Sequence, residues 1–201
     1  MGLQLQVKTF VPVAASTTAL GAAQTVSGAA NFTLTSAATG GTYANANTAP
    51  KVSFTSGANI SGVNFTVTGT DVNGDAQSEI IAGPNANTVF TTLFYKTVSQ
   101  VATGASVGTN TSIGHSNHVT GVIFAGRTRV KGMQITTGGT IDTIAFKNTS
   151  PAGTTLFSFL VATTTKDYIE PYIPDDGILF NAGAYVDIPA GSAGSATVYY
   201  G

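Results

Sequence analysis

Threonine dominates this chain, whereas leucine and glutamate, two strong helix formers, are scarce. Thr occurs 33 times among 201 residues, whereas Leu occurs 8 times and Glu twice. Threonine is β-branched and fits a pleated strand, whereas Leu and Glu favour helices in water. A mostly helical fold is therefore excluded, and the composition predicts an all-β protein with almost no helix.

Charged side chains are scarce. They make up 8% of the residues, with a net charge of −1, against roughly 25% in an average soluble domain. Such a chain offers no polybasic surface for a nucleic-acid backbone, so we expect no nucleic-acid partner. Its hydrophobic content of 42% also excludes a disordered chain. Because so few charges protect it from association, we expect hydroxyls and amides, or permanent partners, to cover much of its surface.

The clearest local signal is a hairpin at residues 63–82. Its first arm alternates apolar and polar side chains, as in a half-buried strand. Asn73-Gly74 follows, and both of these residues accept positive φ in a two-residue type I′ turn. Such a turn would pair Val67 with Ile80, so both are predicted to lie on the buried face.

Strand-length segments separated by Gly, Asn and Pro run along the whole chain, which is typical of β-sandwiches and jelly rolls. A polar stretch at 115–118 is interpreted as a linker between two such modules, 1–114 and 119–201. In the first module we predict a long strand over 88–101 and a short one at 106–113. In the second module the predicted strands are residues 119–124, 127–135, 140–147, 154–161, 178–180, 184–188 and 195–200.

The N-terminal residues have the period of a strand. Leu3, Leu5 and Val7 alternate with polar residues, so we expect a strand there and no signal peptide. No segment is apolar enough to predict a membrane span, and no membrane partner is expected. Cysteine is missing, which excludes disulfides and thiolate metal sites.

Two short motifs suggest chemistry but have simpler structural interpretations. Residues 104–108 match the Gly-x-Ser-x-Gly motif of hydrolases, yet the residues after Ser106 are poor helix starters, and that motif needs a helix. Residues 71–75 begin like a calcium loop. Ala76 and Ala82, however, occupy the positions where Gly and a bidentate Glu are required.

Two further pairs of residues could hold a metal or act as acid and base. His115 and His118 have no third ligand nearby in the sequence, and we interpret them as linker residues. Asp175-Asp176 lies in a Pro-Asp-Asp-Gly turn, where adjacent carboxylates do not face each other across a cleft. We therefore predict no catalytic residue, no metal and no cofactor, and we expect that the protein is not an enzyme.

One charge pattern could make a contact with a partner. Arg127, Arg129 and Lys131 would project to one face of a strand, with uncharged residues on the other face. This basic ladder could bind an acidic partner surface. Alternatively it is a solvated strand face paired with Asp142 or Asp187.

Two stretches carry motifs of strand and turn residues. In the first, residues 60–75 include FTVTGTDVNGD and are followed by Gly83-Pro84 and YKTV at 95–98. The second contains RVKG at 129–132, ILFNAGAYV at 178–186 and TVYYG at 197–201. Together these stretches resemble the β-sandwich virion structural proteins of tailed bacteriophages, in which a similar hairpin precedes a Gly-Pro turn and a similar terminus closes the module.

The resemblance implies a non-enzymatic virion structural protein. The first hypothesis is a capsid decoration or cement protein, a homo-oligomer with a trimer favoured, that binds the major capsid protein and stabilises the head shell. The alternative is a tail, neck or fibre component, or an adhesin that binds host glycans. For glycan binding, Tyr168, Tyr172 and Asp175 could supply aromatic rings and a carboxylate.

Overall fold

The computed structural model describes residues 4–162 and 168–201, so the prediction for Leu3 lies outside the described residues. Within them, almost all regular structure is antiparallel β-sheet, which confirms the predicted all-β class. The strands are β1 (Gln6–Phe10), β2 (Ser16–Val26), β3 (Thr48–Ser56), β4 (Asn64–Thr70), β5 (Ala76–Ala82), β6 (Thr88–Phe94), β7 (Thr97–Thr103), β8 (Val107–Phe124), β9 (Thr128–Thr137), β10 (Asp142–Asn148), β11 (Thr155–Val161), β12 (Tyr168–Ile169), β13 (Ile178–Phe180), β14 (Ala184–Ile188) and β15 (Ala193–Tyr200). The described residues also contain one short helix, α1 (Ser36–Gly40).

The chain forms two compact units. The terminal unit comprises Met1–Pro12 and His118–Gly201, and the central unit comprises Val13–Asn117. The boundary between the two units, between Asn117 and His118, therefore falls within residues 115–118, the segment that was interpreted as a linker. That segment is not a linker, because it lies inside the unbroken strand β8. The N-terminal residues also differ from the predicted division, because β1 pairs with β15 and so joins the later module.

The terminal unit is a sandwich of two sheets. One sheet has the order β1-β15-β9-β12, with β13 also paired to β9, and the other runs β11-β10-β14-β8. Alternating side chains of both sheets are buried between them, as the period of two requires. The core includes Phe10, Val130, Ile135 and Val198 from the first sheet and Ile144, Phe146, Val186 and Ile188 from the second.

The central unit has its own core. Within it β8 pairs with β2 and neighbours β3, β6 pairs with β3, and a separate sheet has the order β5-β4-β7. Phe65 of β4 lies at the centre of this core. Its ring stacks on Phe54 with 5.0 Å between centroids and meets Phe32 edge-on at 5.6 Å.

The long strand predicted over 88–101 is two strands, β6 and β7, that belong to different sheets. The chain changes sheet at Tyr95 and Lys96. The Tyr95 N–H donates to the Pro50 carbonyl, whereas the Lys96 N–H donates to the Thr70 carbonyl, both at 2.8 Å. The alternation of buried and exposed side chains breaks at this step, because the adjacent residues Phe94 and Tyr95 are both buried.

The predicted hairpin is present as β4 and β5, but its loop is longer than expected. The Gly74 N–H donates to the Asp71 carbonyl at 3.2 Å, and the Asp71 N–H donates to the Asp75 carbonyl at 2.8 Å. Gly74 has a φ of 92°. These are the features of a type I turn followed by a glycine bulge, which gives a three-residue loop in place of the predicted two-residue turn.

This longer loop changes which face of β5 is buried, because a register shift of one residue reverses every side chain of a strand. Val67 is fully buried as predicted. Ile80 pairs with Thr66 and is 67% exposed, so its predicted burial is wrong. Glu79 instead lies opposite Val67, and its carboxylate accepts the N–H groups of Thr92 at 2.8 Å and Leu93 at 3.0 Å. A carboxylate thus ties β5 to β6.

Gly74→Val is expected to lower the free energy of unfolding by about 1–2 kcal/mol, because a β-branched residue adopts positive φ only with strain. Gly108→Val in β8 is the matched control. Gly108 has no unusual φ and no atom within 4 Å of an added Cβ, so no comparable loss is expected. Denaturant unfolding of the two variants makes the comparison, and equal stabilities would contradict the turn.

Candidate functional site

The basic ladder lies at the start of β9 in the terminal unit. Arg127 precedes the strand and is exposed, Arg129 is half-buried and Lys131 is exposed. Thr128 and Val130, which alternate with them, are both buried. The strand therefore presents its cations away from the core of the sandwich.

The carboxylates that could have paired with the ladder are engaged elsewhere. Arg129 donates from Nη1 to two main-chain carbonyls, those of Asp176 at 2.9 Å and Gly177 at 3.2 Å. Asp142 accepts the N–H of the next residue, and Asp187 forms an ion pair with Lys147 and a hydrogen bond with His118. Within the described ranges, the ladder thus forms no ion pair with either acid.

A groove of about 440 Å³ adjoins the ladder at Lys131. Lys131 is an extra residue in β9, because its neighbours Val130 and Gly132 pair with consecutive residues of β15, Tyr200 and Tyr199. A β-bulge of this kind re-aims the bulged side chain. The groove is lined by Lys131, Gln134 and Tyr199 of the sheet and by Glu170, Tyr172 and Ile173 from the segment after β12.

A hydrogen-bonded carboxylate lies in this groove. Oε1 of Glu170 accepts the Tyr168 hydroxyl at 2.6 Å and the Gln134 amide at 2.8 Å. The bond from Tyr168, followed by the bond from Gln134, lowers the pKa of Glu170. The same bond to Glu170 raises the pKa of Tyr168 to about 12. At neutral pH the groove therefore holds a carboxylate oriented by two donors.

The structure brings together part of the glycan-binding set named from the sequence. Tyr172 lines the groove, and Tyr168 holds its carboxylate. Asp175 does not line it and lies in a tight turn closed by the Gly177 N–H. Sequence reasoning missed Glu170, although one of only two glutamates in the chain lies between two tyrosines at alternate positions.

His115 is a core residue of the central unit, so its interpretation as a linker residue is wrong. It is 3% exposed, and its ring centroid lies 5.5 Å from that of Tyr43. Burial lowers the pKa of His115, and a hydrogen bond to the Ser116 carbonyl offsets part of this effect. The imidazole therefore stays neutral at neutral pH. It borders a cleft of about 210 Å³ with Ser16 and Phe90, and no acidic residue lines that cleft in the described part of the chain.

His118 is likewise no linker residue, because it belongs to a partly buried ion cluster in the terminal unit. Its Nε2 lies 2.7 Å from Oδ1 of Asp187, and Nζ of Lys147 lies 2.8 Å from Oδ2. Burial would raise the pKa of Asp187, but the hydrogen bonds and charges of His118 and Lys147 outweigh burial and lower it. The cluster links β8, β10 and β14.

The remaining motifs have structural roles. Ser106 lies between two strands, not before a helix, and its hydroxyl accepts the Gly28 N–H at 2.7 Å. Oδ1 of Asp71 accepts the N–H groups of Asn73 at 2.7 Å and Asp75 at 2.9 Å, which stabilises the hairpin loop. Among the described residues, no group of three or more His, Cys, Asp or Glu side chains is placed to hold a metal. No helix in residues 4–162 or 168–201 is long and apolar enough to cross a membrane.

In comparisons with known proteins, the chain matches no family model and no curated protein.

Proposed function

We propose that the chain is a non-enzymatic structural protein of a phage virion, of the capsid decoration type. It forms a homo-oligomer, with a trimer favoured, and it binds the major capsid protein at the surface of the head shell. The basic ladder of Arg127, Arg129 and Lys131 is the proposed contact with an acidic capsid surface.

The virion role in this proposal rests on the resemblance of the sequence motifs, and the homo-oligomer rests on the apolar character of the outer strands of the terminal unit. β1 and β11 each end the order of their sheet. Both carry exposed apolar side chains, with Val7 59% and Leu160 54% exposed. Outer strands that expose apolar side chains favour association with another chain. A closed symmetric oligomer would cover such edges.

The shortage of charge supports the same proposal. Lys and Arg number 8 and Asp and Glu number 9 in the whole chain, which gives little electrostatic protection against association. In a permanent assembly, much of this weakly charged surface would be covered by partner chains and would no longer need electrostatic protection. A decoration protein that binds the assembled shell and not its free subunits would stabilise the shell by mass action. Trimers suit the threefold positions of an icosahedral shell, where three subunits meet.

Two measurements test this proposal. Native mass spectrometry of the purified chain is expected to show a trimer at micromolar concentration. Immunogold labelling of virions from the source culture is expected to decorate the head shell at hundreds of copies per particle. A monomer together with a copy number in single digits would favour the tail or neck alternative, and unlabelled virions would overturn a virion role.

Reversing the ladder to Arg127→Glu, Arg129→Glu and Lys131→Glu is expected to weaken attachment to shells about tenfold or more in about 0.05 M salt, and much less in about 0.5 M salt, because salt screens exposed charges. Co-sedimentation with shells measures the bound fraction. Single substitutions give the matched control. Lys131→Glu should weaken attachment more than Lys51→Glu, which makes the same charge change in the central unit. Equal effects, or a loss that does not depend on salt, would contradict the proposed contact.

The alternative function, a tail, neck or fibre component or a host-glycan adhesin, is favoured by one observation. The groove beside Lys131 combines an exposed tyrosine with an oriented carboxylate and an amide. This combination suits a ligand with hydroxyl groups. Binding of such a ligand by the groove would not depend on where in a particle the chain lies.

A further inference from the structure

We propose that the groove formed by Lys131, Gln134, Glu170, Tyr172 and Tyr199 is a binding site for a saccharide. The volume of about 440 Å³ lies within the range of about 300–1,000 Å³ that is usual for small-molecule sites. The groove is open at the surface, so it can admit one or two rings of a longer glycan.

Tyr172 supplies the apolar surface for the ligand. It is 83% exposed, so its ring adds little to the core of the terminal unit. Tyr199 is half-buried in β15 and presents a second ring to the groove. Aromatic rings are apolar on their faces and polar at the tyrosine hydroxyl. They match a pyranose, whose C–H groups form flat apolar faces while its hydroxyls project from the edge.

Glu170, Gln134 and Lys131 supply the polar contacts. The two hydrogen bonds to Glu170 both go to Oε1, and no other hydrogen bond of this side chain is formed within the described part of the chain. Oε2 can therefore accept a ligand hydroxyl. The side-chain amide oxygen of Gln134 is a further acceptor, and the Lys131 ammonium is a donor. A sugar hydroxyl both donates and accepts, so it can satisfy all three groups.

Other ligand classes fit this groove less well. A nucleotide or other phosphate ester would bring negative charge against the Glu170 carboxylate. A purely apolar ligand would remove water from Glu170, Gln134 and Lys131 without replacing their hydrogen bonds, which costs free energy for each group. A saccharide meets both the aromatic rings and the polar groups. A carboxylated sugar would gain a contact with Lys131 but lie near Glu170, so neutral and acidic sugars are compared in the test.

The test uses the purified full chain and a defined panel of maltotriose, cellotriose, triacetylchitotriose and sialyllactose, with a broad glycan array beside it. Saturation-transfer NMR detects contact with the sugar protons, and isothermal titration gives the affinity. We expect at least one glycan to bind. Tyr172→Ala should weaken binding about tenfold through loss of the stacked ring. Glu170→Gln should weaken it about tenfold through loss of a charge-assisted hydrogen bond.

Two controls separate a binding role from a structural one. Tyr172→Phe keeps the ring and should retain most of the affinity. Phe90→Ala removes an exposed aromatic side chain from the central unit and should leave binding unchanged. Thermal unfolding should show the same midpoint for Tyr172→Ala and the unmodified chain, because this side chain lies largely in water.

The proposal is overturned if the unmodified chain binds no glycan of the panel or the array. Binding that survives both Tyr172→Ala and Glu170→Gln would also overturn it, because the sugar would then lie elsewhere. Because this test needs no virion, either result leaves the capsid decoration proposal to its own experiments.

Discussion

Phe65→Ala is expected to lower the free energy of unfolding by about 3–5 kcal/mol, the usual cost of truncating a fully buried phenylalanine. Phe65 has no exposed surface, and its ring contacts those of Phe54 and Phe32 in the core of the central unit. Removing the ring loses its transfer free energy and both ring contacts. It also leaves a cavity that rigid neighbouring strands cannot close.

Phe90→Ala provides the control for this prediction. Phe90 lies in β6 of the same unit but is 51% exposed, so its loss is expected to cost about 0.5 kcal/mol or less. Denaturant unfolding, monitored by circular dichroism, measures both variants. If Phe65→Ala costs no more than Phe90→Ala, the assignment of Phe65 to the centre of the core is wrong.

Asp187→Asn is expected to lower the free energy of unfolding by about 2–3 kcal/mol, because it leaves the Lys147 ammonium poorly compensated in a partly buried site. The side chains of Asp187, Lys147 and His118 are 14%, 20% and 27% exposed, so solvent screens this cluster only in part. Asp142→Asn in β10 is the control. Asp142 is exposed and accepts a hydrogen bond from the adjacent N–H group, and a much smaller loss is expected there.

The same carboxylate predicts how stability changes in acid. The pKa of Asp187 is lower in the folded chain than its ordinary value of 3.8, so the unfolded chain takes up the proton first as the pH falls. The contribution of Asp187 is therefore complete above pH 3.8 and is lost as the pH falls through the folded pKa. Unfolding midpoints measured between neutral and acid pH should converge for the unmodified chain and Asp187→Asn. A constant difference over this range would contradict the ion cluster.

Local patterns were enough to predict the class of the fold and most of the strands of the terminal unit. Alternating side chains place a strand correctly because one face of a sheet is buried and the other is not. Residues 178–180 and 184–188 were predicted as strands and are strands with those bounds. Asn73-Gly74 likewise predicted a hairpin correctly, since few other residues accept the φ of 92° seen at Gly74.

The register of that hairpin could not be predicted from the same residues. Asn-Gly fits both a two-residue turn and the three-residue loop that forms, and the two differ by one residue in pairing. Only the three-residue loop places Glu79 opposite Val67, where its carboxylate can accept main-chain N–H groups of β6. Those contacts come from a later part of the chain, so the hairpin sequence contains no sign of them.

For the groove, too, some residues were predicted from the local sequence, whereas others could be assigned only from the tertiary structure. The sequence identified Tyr168 and Tyr172 as candidates, because aromatic residues close to a carboxylate are visible as a local pattern. Gln134 and Tyr199 join them only because β9 pairs with both β12 and β15.

The sequence by itself determined that this chain is built of strands, where most of them lie and where it turns, because side-chain alternation and backbone φ preferences act over a few residues. Only the tertiary structure decided that β1 joins the sheet of β15, that residues 115–118 continue a strand, and that His118 meets Asp187 at a separation of 69 residues. Pairing between distant strands depends on how well whole faces pack and on which polar groups find partners. Neither property can be read from a short segment.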